Sequence, residues 1–380
     1  MKKIEIEKVF VFIFSSILIF PAIFFIFFGF FLDWTDFKPF TLKEFYAGEF
    51  QENFSDYFKD KIPVYNKIAI LKLNSDILAG QAIFNGVFLQ DNELIKINKP
   101  PTFSKVAYFC ETLNKFFLDF NKSIYYLIIP SKLQVNGAML KIYSDVEKFN
   151  DIKIFLEKNL NSKIIELDDS ALFESSKEIN PFYKTIDSLN SMGAYILYSS
   201  NMKKLGQDSI DLQNFNIKHM VNKYYGNLYS KKFMKNVGFD MLDVFEYNVG
   251  NVRFNVEEIY SDGTVKKRNT IYDLSKINDF YKHNIVFGGP AVVKTVETNL
   301  NEKEKILIFA DRYINNFMQF FSLHYKKITV VNLDYFSNLK PNMLNKINVN
   351  LKEYGKVFFI YGIESLKNSE QFFNLKYFKN

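Results

Sequence analysis

The residues best placed to do chemistry stand in Lys305–Phe317, KILIFADRYINNF. Ile306 to Phe309 form an apolar run of strand length, and Tyr313 to Phe317 carry apolar residues three to four apart, the spacing of a helix. A strand-to-helix corner of this kind is where many hydrolases expose a nucleophilic serine. Here the corner reads Ala310-Asp311-Arg312. A guanidinium stays protonated at any physiological pH and has only donors, so Arg312 can be neither nucleophile nor base. It can pair with a carboxylate or contribute to binding. Residues following other strand-like runs are further candidates, because ligands of open parallel sheets collect at the carboxyl ends of strands. They are Pro130-Ser131-Lys132, Asp168-Asp169 and Tyr361-Gly362, none of which has the elbow shape.

Bases are scarce. The chain has three histidines, His219, His283 and His324, with no paired ligand spacing of the HExxH kind. His324 falls twelve residues after Arg312 on the same expected helix, roughly 18 Å along its axis, too far to serve the corner. His283, in YKHNIVFGGP, could approach from the segment before Gly288-Gly289, but a surface or capping role is the simpler expectation. Cys110 is the single cysteine, so neither an internal disulfide nor a Cys-based zinc site is available, and AYFCETL reads as core. No metal and no cofactor is expected.

The elements that must position these residues alternate between helical and strand-like patterns, which argues for βαβ units and a largely parallel sheet flanked by helices. Helices are expected over Lys105–Phe120, Val146–Leu160 and Asn190–Leu205. Buried strands are expected over Ser123–Pro130, Lys163–Asp168, Lys327–Asp334 and Lys356–Gly362. Between residues 244 and 275, Asp262-Gly263 joins two alternating runs, and an inserted β-hairpin with a two-residue turn is expected there. A short β-like stretch with turn residues, Ile83–Ile95, precedes the first βα unit.

At the N-terminus, Val9 to Leu32 is 24 residues without a charge, preceded by Lys2, Lys3 and Lys8 and followed by Asp33 and Asp36. At about 1.5 Å per residue it spans roughly 36 Å, enough for a ~30 Å hydrocarbon core with tilt. It is bulky to its end and lacks the small-residue cleavage site of a signal peptide. The expected organisation is therefore a cytoplasmic 1–8, a transmembrane signal anchor over 9–32, a membrane-proximal helical segment over 33–82 and an extracytoplasmic domain over 83–380. The net charge of +6 is dispersed and no nucleic-acid-binding pattern accompanies the lysine pairs, so a nucleic-acid partner is not expected. The 44 Phe and 23 Tyr, with abundant Lys, Asn and Ile, fit the coding bias of an AT-rich bacterial genome.

Five stretches in order, Phe45–Pro63, Ile83–Ile95, Tyr125–Lys132, Phe182–Tyr198 and Leu307–Phe336, together resemble the DHHW family. That family is similar to the alginate O-acetylation proteins J and X, with a catalytic domain of SGNH-hydrolase type. The resemblance implies an SGNH-like α/β domain held at the bacterial membrane, acting beside a multi-spanning O-acyltransferase on a cell-surface or secreted polysaccharide. It also implies a serine nucleophile, a histidine base and an orienting aspartate, since a hydroxyl is a poor nucleophile until a base takes its proton.

Carried over position by position, that relay is missing. Aligning FYKTIDSLNSMGAY through Tyr183, Thr185, Gly193, Ala194 and Tyr195 puts Ile186 at the aspartate position and Ser188 at the histidine position. Aligning the elbow through Asp311 and Tyr313 puts Arg312 in the serine's place. Asp187, one residue from the family's aspartate, is the nearest acid, and an ion pair of Arg312 with Asp187 or Asp311 is expected to fill the corner; Lys132 is a further binding candidate. Three readings follow: a non-catalytic protein accessory to polysaccharide O-acetylation or handling, an acetyltransferase or acetylesterase using non-standard residues, and a structural envelope protein.

Overall fold

The computed structural model describes residues 83–378 apart from 85, 121, 137–145, 231–236, 337–338, 340–346 and 348. The expected membrane span 9–32 and helical segment 33–82 lie outside the described residues. Among the described ones, no helix is long and apolar enough to cross a membrane.

Along the chain, a three-stranded antiparallel sheet comes first: β1 (Ile83–Phe84), β2 (Val87–Gln90) and β3 (Glu93–Lys96). Its β2–β3 turn uses Asp91 and Asn92 at φ 46° and 66°, the left-handed pair of a two-residue hairpin loop. Then follow α1 (Phe103–Asp119), β4 (Ser123–Ile129), α2 (Lys132–Asn136), α3 (Val146–Asn159), β5 (Ile164–Glu166), α4 (Ser170–Ser175) and α5 (Ser191–Asn201). A two-stranded ribbon, β6 (Phe215–Tyr224) and β7 (Asp240–Tyr247), has α6 (Asn227–Ser230) between its strands. The remainder is β8 (Phe254–Ile259), β9 (Val265–Arg268), β10 (Val293–Thr298), β11 (Lys305–Ala310), α7 (Ile314–Phe321), β12 (Lys327–Val331), α8 (Leu333–Phe336) and β13 (Lys356–Gly362).

The central sheet has the order β5-β4-β13-β11-β12-β10-β8-β9. From β5 to β12 every pairing is parallel; from β12 to β9 every pairing is antiparallel. The expected hairpin is thus an extension of the main sheet through β10 and is no separate insertion, and the sheet is parallel over five strands only. Its turn also differs. Gly263 donates to Tyr260 O at 3.0 Å and Tyr260 donates to Thr264 O at 2.9 Å, with Gly263 at φ +90°. That is a three-residue loop closed by a left-handed glycine, in place of the two-residue turn expected.

The parallel strands are near-continuous apolar runs, polar mainly at their ends, because both faces are covered. Alternation sends Leu127, Ile308 and Phe358 to one face, where α5 and α7 supply Leu197, Tyr198, Phe317 and Phe320. Ile124, Leu307, Phe309 and Phe359 go to the other, against Phe109, Leu113 and Phe116 of α1 and Ile152 and Leu156 of α3. Helices on both faces leave the carboxyl ends of β4, β13, β11 and β12 together at one edge.

Candidate functional site

The elbow forms as the sequence implies: β11 ends at Ala310, and α7 begins at Ile314. Asp311 is consumed in building it. One carboxylate oxygen accepts the Tyr313 N–H at 2.9 Å; the other accepts the Gly362 N–H at 2.8 Å and the Ser365 hydroxyl at 2.6 Å. The carboxylate thereby starts the turn into α7 and ties it to the end of the neighbouring β13. Burial pushes the Asp311 carboxyl above its usual value against the pull of these donors. Tyr313 lies so close to Gly362 that a Cβ there would stand 2.4 Å from its ring.

Arg312 is exposed on the wall of a pocket. Its Nη2 donates to the main-chain carbonyl of Asp187 at 3.0 Å, and the Tyr313 hydroxyl donates to the same carbonyl at 3.3 Å. The expected side-chain ion pair is not formed: among the described residues Arg312 has no carboxylate within 4.0 Å. The reason is geometric. Both Asp311 oxygens are taken, and the Asp187 carboxylate turns away to accept from Asn98 Nδ2 at 3.2 Å. Glu364 shares that buried corner, and burial with the Asp187 charge raises its carboxyl to about 7.

The loop carrying Ile186, Asp187 and Ser188 is pinned at both ends. Phe182 and Leu189 form a β-bridge, and Tyr183 donates to Ser188 O at 3.1 Å. Asp240 accepts the Thr185 N–H at 2.9 Å and the Thr185 hydroxyl. Lys132 braces the loop from beneath: it is fully buried, ion-pairs with Glu93 at 2.9 Å and donates to Tyr183 O at 2.8 Å. Burial lowers its pKa against the opposing pull of Glu93. Lys132 is therefore a brace, closed to any ligand. Asp168 and Asp169 serve α4 and Lys153, and Ser131 caps α2 through Gln134.

These elements enclose a pocket of about 340 Å³ at the carboxyl ends of β11 and β12, beside the start of antiparallel β10. Ile186, Ser188, Asp311 and Arg312 line it, so the elbow and the 182–190 loop are brought together as the alignment implies. So does His283, which the sequence offered only as an outside chance. The structure moves it in by a short 3₁₀ turn, Lys282–Ile285, docked through a Tyr272–Val286 bridge. The Tyr224 hydroxyl donates its one proton to Phe280 O at 3.0 Å and lies 3.2 Å from His283 Nδ1. Nδ1 must then carry the proton and donate, which leaves Nε2 a bare acceptor. Burial and the nearby Arg312 charge lower the His283 pKa to about 4, so the ring is neutral. His219 is on the exposed ribbon, paired with Asp243. His324 lies beyond the end of α7, buried against the Tyr198 hydroxyl at 2.7 Å. Neither reaches the pocket.

The rest of the lining mixes amides and aromatics, including Asn315, Asn316 and Asn332, with aliphatic side chains such as Ile314 and Val330; Tyr281 stands half-exposed at the mouth and Tyr335 on the wall. Asn316 is 7 % exposed; its Nδ2 donates to Leu189 O at 2.7 Å, which fixes the amide's orientation and leaves Oδ1 buried without a partner. The far wall is Phe287-Gly288-Gly289. Phe287 adopts φ 68°, a rare setting for a bulky residue. Lys294 holds it, donating to Phe287 O at 2.6 Å with its ammonium 4.5 Å from the Phe287 ring. Behind it Glu258 pairs with Arg268 at 2.9 Å and Lys294 at 3.7 Å. Burial brings the Lys294 pKa down to about 8.

Chemically, no nucleophile-base relay is assembled among the described residues that line the pocket. Among the described residues the Ser188 hydroxyl makes no hydrogen bond to a base, and His283 is oriented by a tyrosine where a relay would use a carboxylate. What is assembled is a small chamber of mixed lining, with the donors of Arg312 and the neutral ring of His283 among apolar side chains and amides.

No family model matches the sequence, and no curated protein matches it. Among solved structures, the chain is similar to a DHHW family protein from Eubacterium siraeum, at 16 % identity and a TM-score of 0.62, over 77 % of this chain and 96 % of that one. It is also similar to Bacillus cereus PatB1, solved with a sulfonyl adduct, at 17 % identity and a TM-score of 0.58, over 74 % and 95 %. At these identities the likeness is one of fold, and it is the fold that the five sequence stretches implied.

Proposed function

We propose that this protein is a non-catalytic glycan-binding member of the SGNH-like fold. Held at the outer side of the bacterial cytoplasmic membrane by residues 9–32, it serves the O-acetylation or handling of a cell-surface or secreted polysaccharide beside a multi-spanning O-acyltransferase. The observation that carries this reading is Arg312 at the elbow, where the nucleophile belongs, above a pocket that keeps its shape without a relay. The pocket's size lies at the low end of small-ligand sites, which suits a single sugar unit over a length of polymer. Its half-buried amides suit hydroxyl groups, and Tyr281 offers a ring face at the mouth.

Full-length protein in detergent, titrated with oligosaccharides, tests the reading. Binding is expected, with Tyr281→Ala weakening it about 3- to 10-fold, the loss of one aromatic contact. Absence of binding to every sugar tried would overturn it.

One observation favours a second reading: Ser188 and His283 share the pocket, and apo hydrogen bonds can tighten when substrate binds. An activated acetyl ester discriminates. Turnover abolished by both Ser188→Ala and His283→Ala would establish an esterase or acetyltransferase; no turnover above the Ser188→Ala background is expected.

A further inference from the structure

We infer that the pocket selects a glycan unit bearing an anionic substituent, a carboxylate or a phosphate, seated on Arg312 with a hydroxyl group of the unit on His283 Nε2. The inference rests on the glycan-binding reading of the same site and adds the charge of its ligand.

Among the described residues of the lining, Arg312 is the one accessible charge. Asp311 also lines the pocket, but its two oxygens are spent on Tyr313 N, Gly362 N and Ser365 Oγ. Lys294 is 5 % exposed and satisfied by Phe287 O, Gly288 O and Glu258. His283 is neutral, as its Tyr224 and Phe280 partners and its surroundings require. The Arg312 guanidinium has five N–H groups, and among the described residues its one hydrogen bond goes to Asp187 O. The remaining donors fit the two oxygens of a carboxylate or phosphate, whose charge-assisted bonds are about twice as strong as neutral ones. A second sign is His283, also in the lining, whose Nε2 is left without a proton by the Tyr224 contact at Nδ1 and can accept from a ligand hydroxyl. A charged donor and a neutral acceptor in one lining describe a ligand that carries both an acid and a hydroxyl.

Four probes on the full-length protein test this: oligogalacturonate, the same oligosaccharide as its neutral methyl ester, glucose 6-phosphate and inorganic phosphate, each titrated against wild type, Arg312→Gln, Arg312→Lys and His283→Phe. An anionic sugar is expected to bind about 10- to 100-fold more tightly than the ester. Arg312→Gln should erase that preference, Arg312→Lys keep part of it, and His283→Phe weaken all sugars but leave inorganic phosphate unchanged. The uronate and phosphosugar arms show which acid the site prefers. Equal binding of acid and ester, or a preference that survives Arg312→Gln, would overturn the inference and leave the glycan reading standing. Arg312-dependent binding of inorganic phosphate without any sugar would overturn the glycan reading and the inference with it, leaving a simple anion site. No binding by any probe would overturn both.

Discussion

His283 donates from Nδ1 because the Tyr224 hydroxyl has a single proton and Phe280 O already holds it. Tyr224→Phe removes that constraint, so the ring should lose its fixed tautomer. Nitrogen-resolved NMR of labelled protein should show one neutral tautomer in wild type and a mixture in the variant, with the wild-type ring titrating near pH 4. His324 offers a cleaner stability measurement. Burial lowers its pKa to about 4, below the ordinary 6.5. The unfolded chain therefore binds a proton between about pH 6.5 and 4 that the folded chain refuses, and stability must fall as pH falls through that window. For this buried ring the loss amounts to roughly 3 kcal/mol by pH 4. Glu364 works in the opposite sense: raised to about 7, it favours the folded state in acid and loses that contribution as pH rises from about 4.5 to 7. Denaturant melts of wild type and His324→Gln across pH 4–7 should show the acid-side slope shallower in the variant. At this scale the sequence showed which residues were out of place and little of what they touch. Arg312 at the elbow and Ser188 in the loop were visible, because local pattern and alignment reach that far. The role of Asp311 was not, since its partners lie 51 and 54 residues on; nor was the burial of Lys132, set by a hairpin 39 residues before it.

The walls of the pocket are backbone conformations that particular side chains impose. Gly288 has φ +77°, and a Cβ there would stand 2.3 Å from Glu258 Oε1. Gly206 has the same φ of +77° with nothing within 4 Å. Gly206→Ala should therefore cost only the left-handed penalty, about 1–2 kcal/mol. Gly288→Ala should cost more, by an amount that reports displacement of the buried Glu258 from Arg268 and Lys294. Paired denaturant melts check this; equal costs would mean that Glu258 yields freely and the wall is not braced by it. The three long helices and the buried parallel strands were legible, because their 3.6-residue spacing or unbroken apolar runs are local. The hairpin turn was misread because Asp-Gly serves both loop lengths, and the three-residue form is chosen by where β8 and β9 pair. His283 entered the pocket unannounced for a related reason: a short 3₁₀ turn has no period to detect, and the bridge that docks it joins residues 14 apart.

At the scale of the whole molecule, alternation of helix and strand gave the layered α/β class, but strand order is set by crossovers that leave no local trace. The change from parallel to antiparallel beyond β12 is why the pocket lies where it does, with the start of β10 closing a space that another parallel strand's helix would have filled. The span over residues 9–32 gives the last test. Three lysines precede it and two aspartates follow, so the basic flank should stay in the cytoplasm and the domain should face outward. Cys110 is 2 % exposed, and burial pushes its thiol up to about 12, so it should be silent toward a membrane-impermeant maleimide. A single Lys267→Cys, on an exposed strand of the hairpin, then reports orientation alone. It should label in intact cells, or in a double-membraned organism once the outer membrane is permeabilised, and the protein should stay with membranes through an alkaline carbonate wash. Deleting residues 1–32 should abolish both the export and the membrane association. Labelling only after lysis would place the domain inside the cell, away from any surface polysaccharide, and would remove the setting in which a glycan pocket has a use.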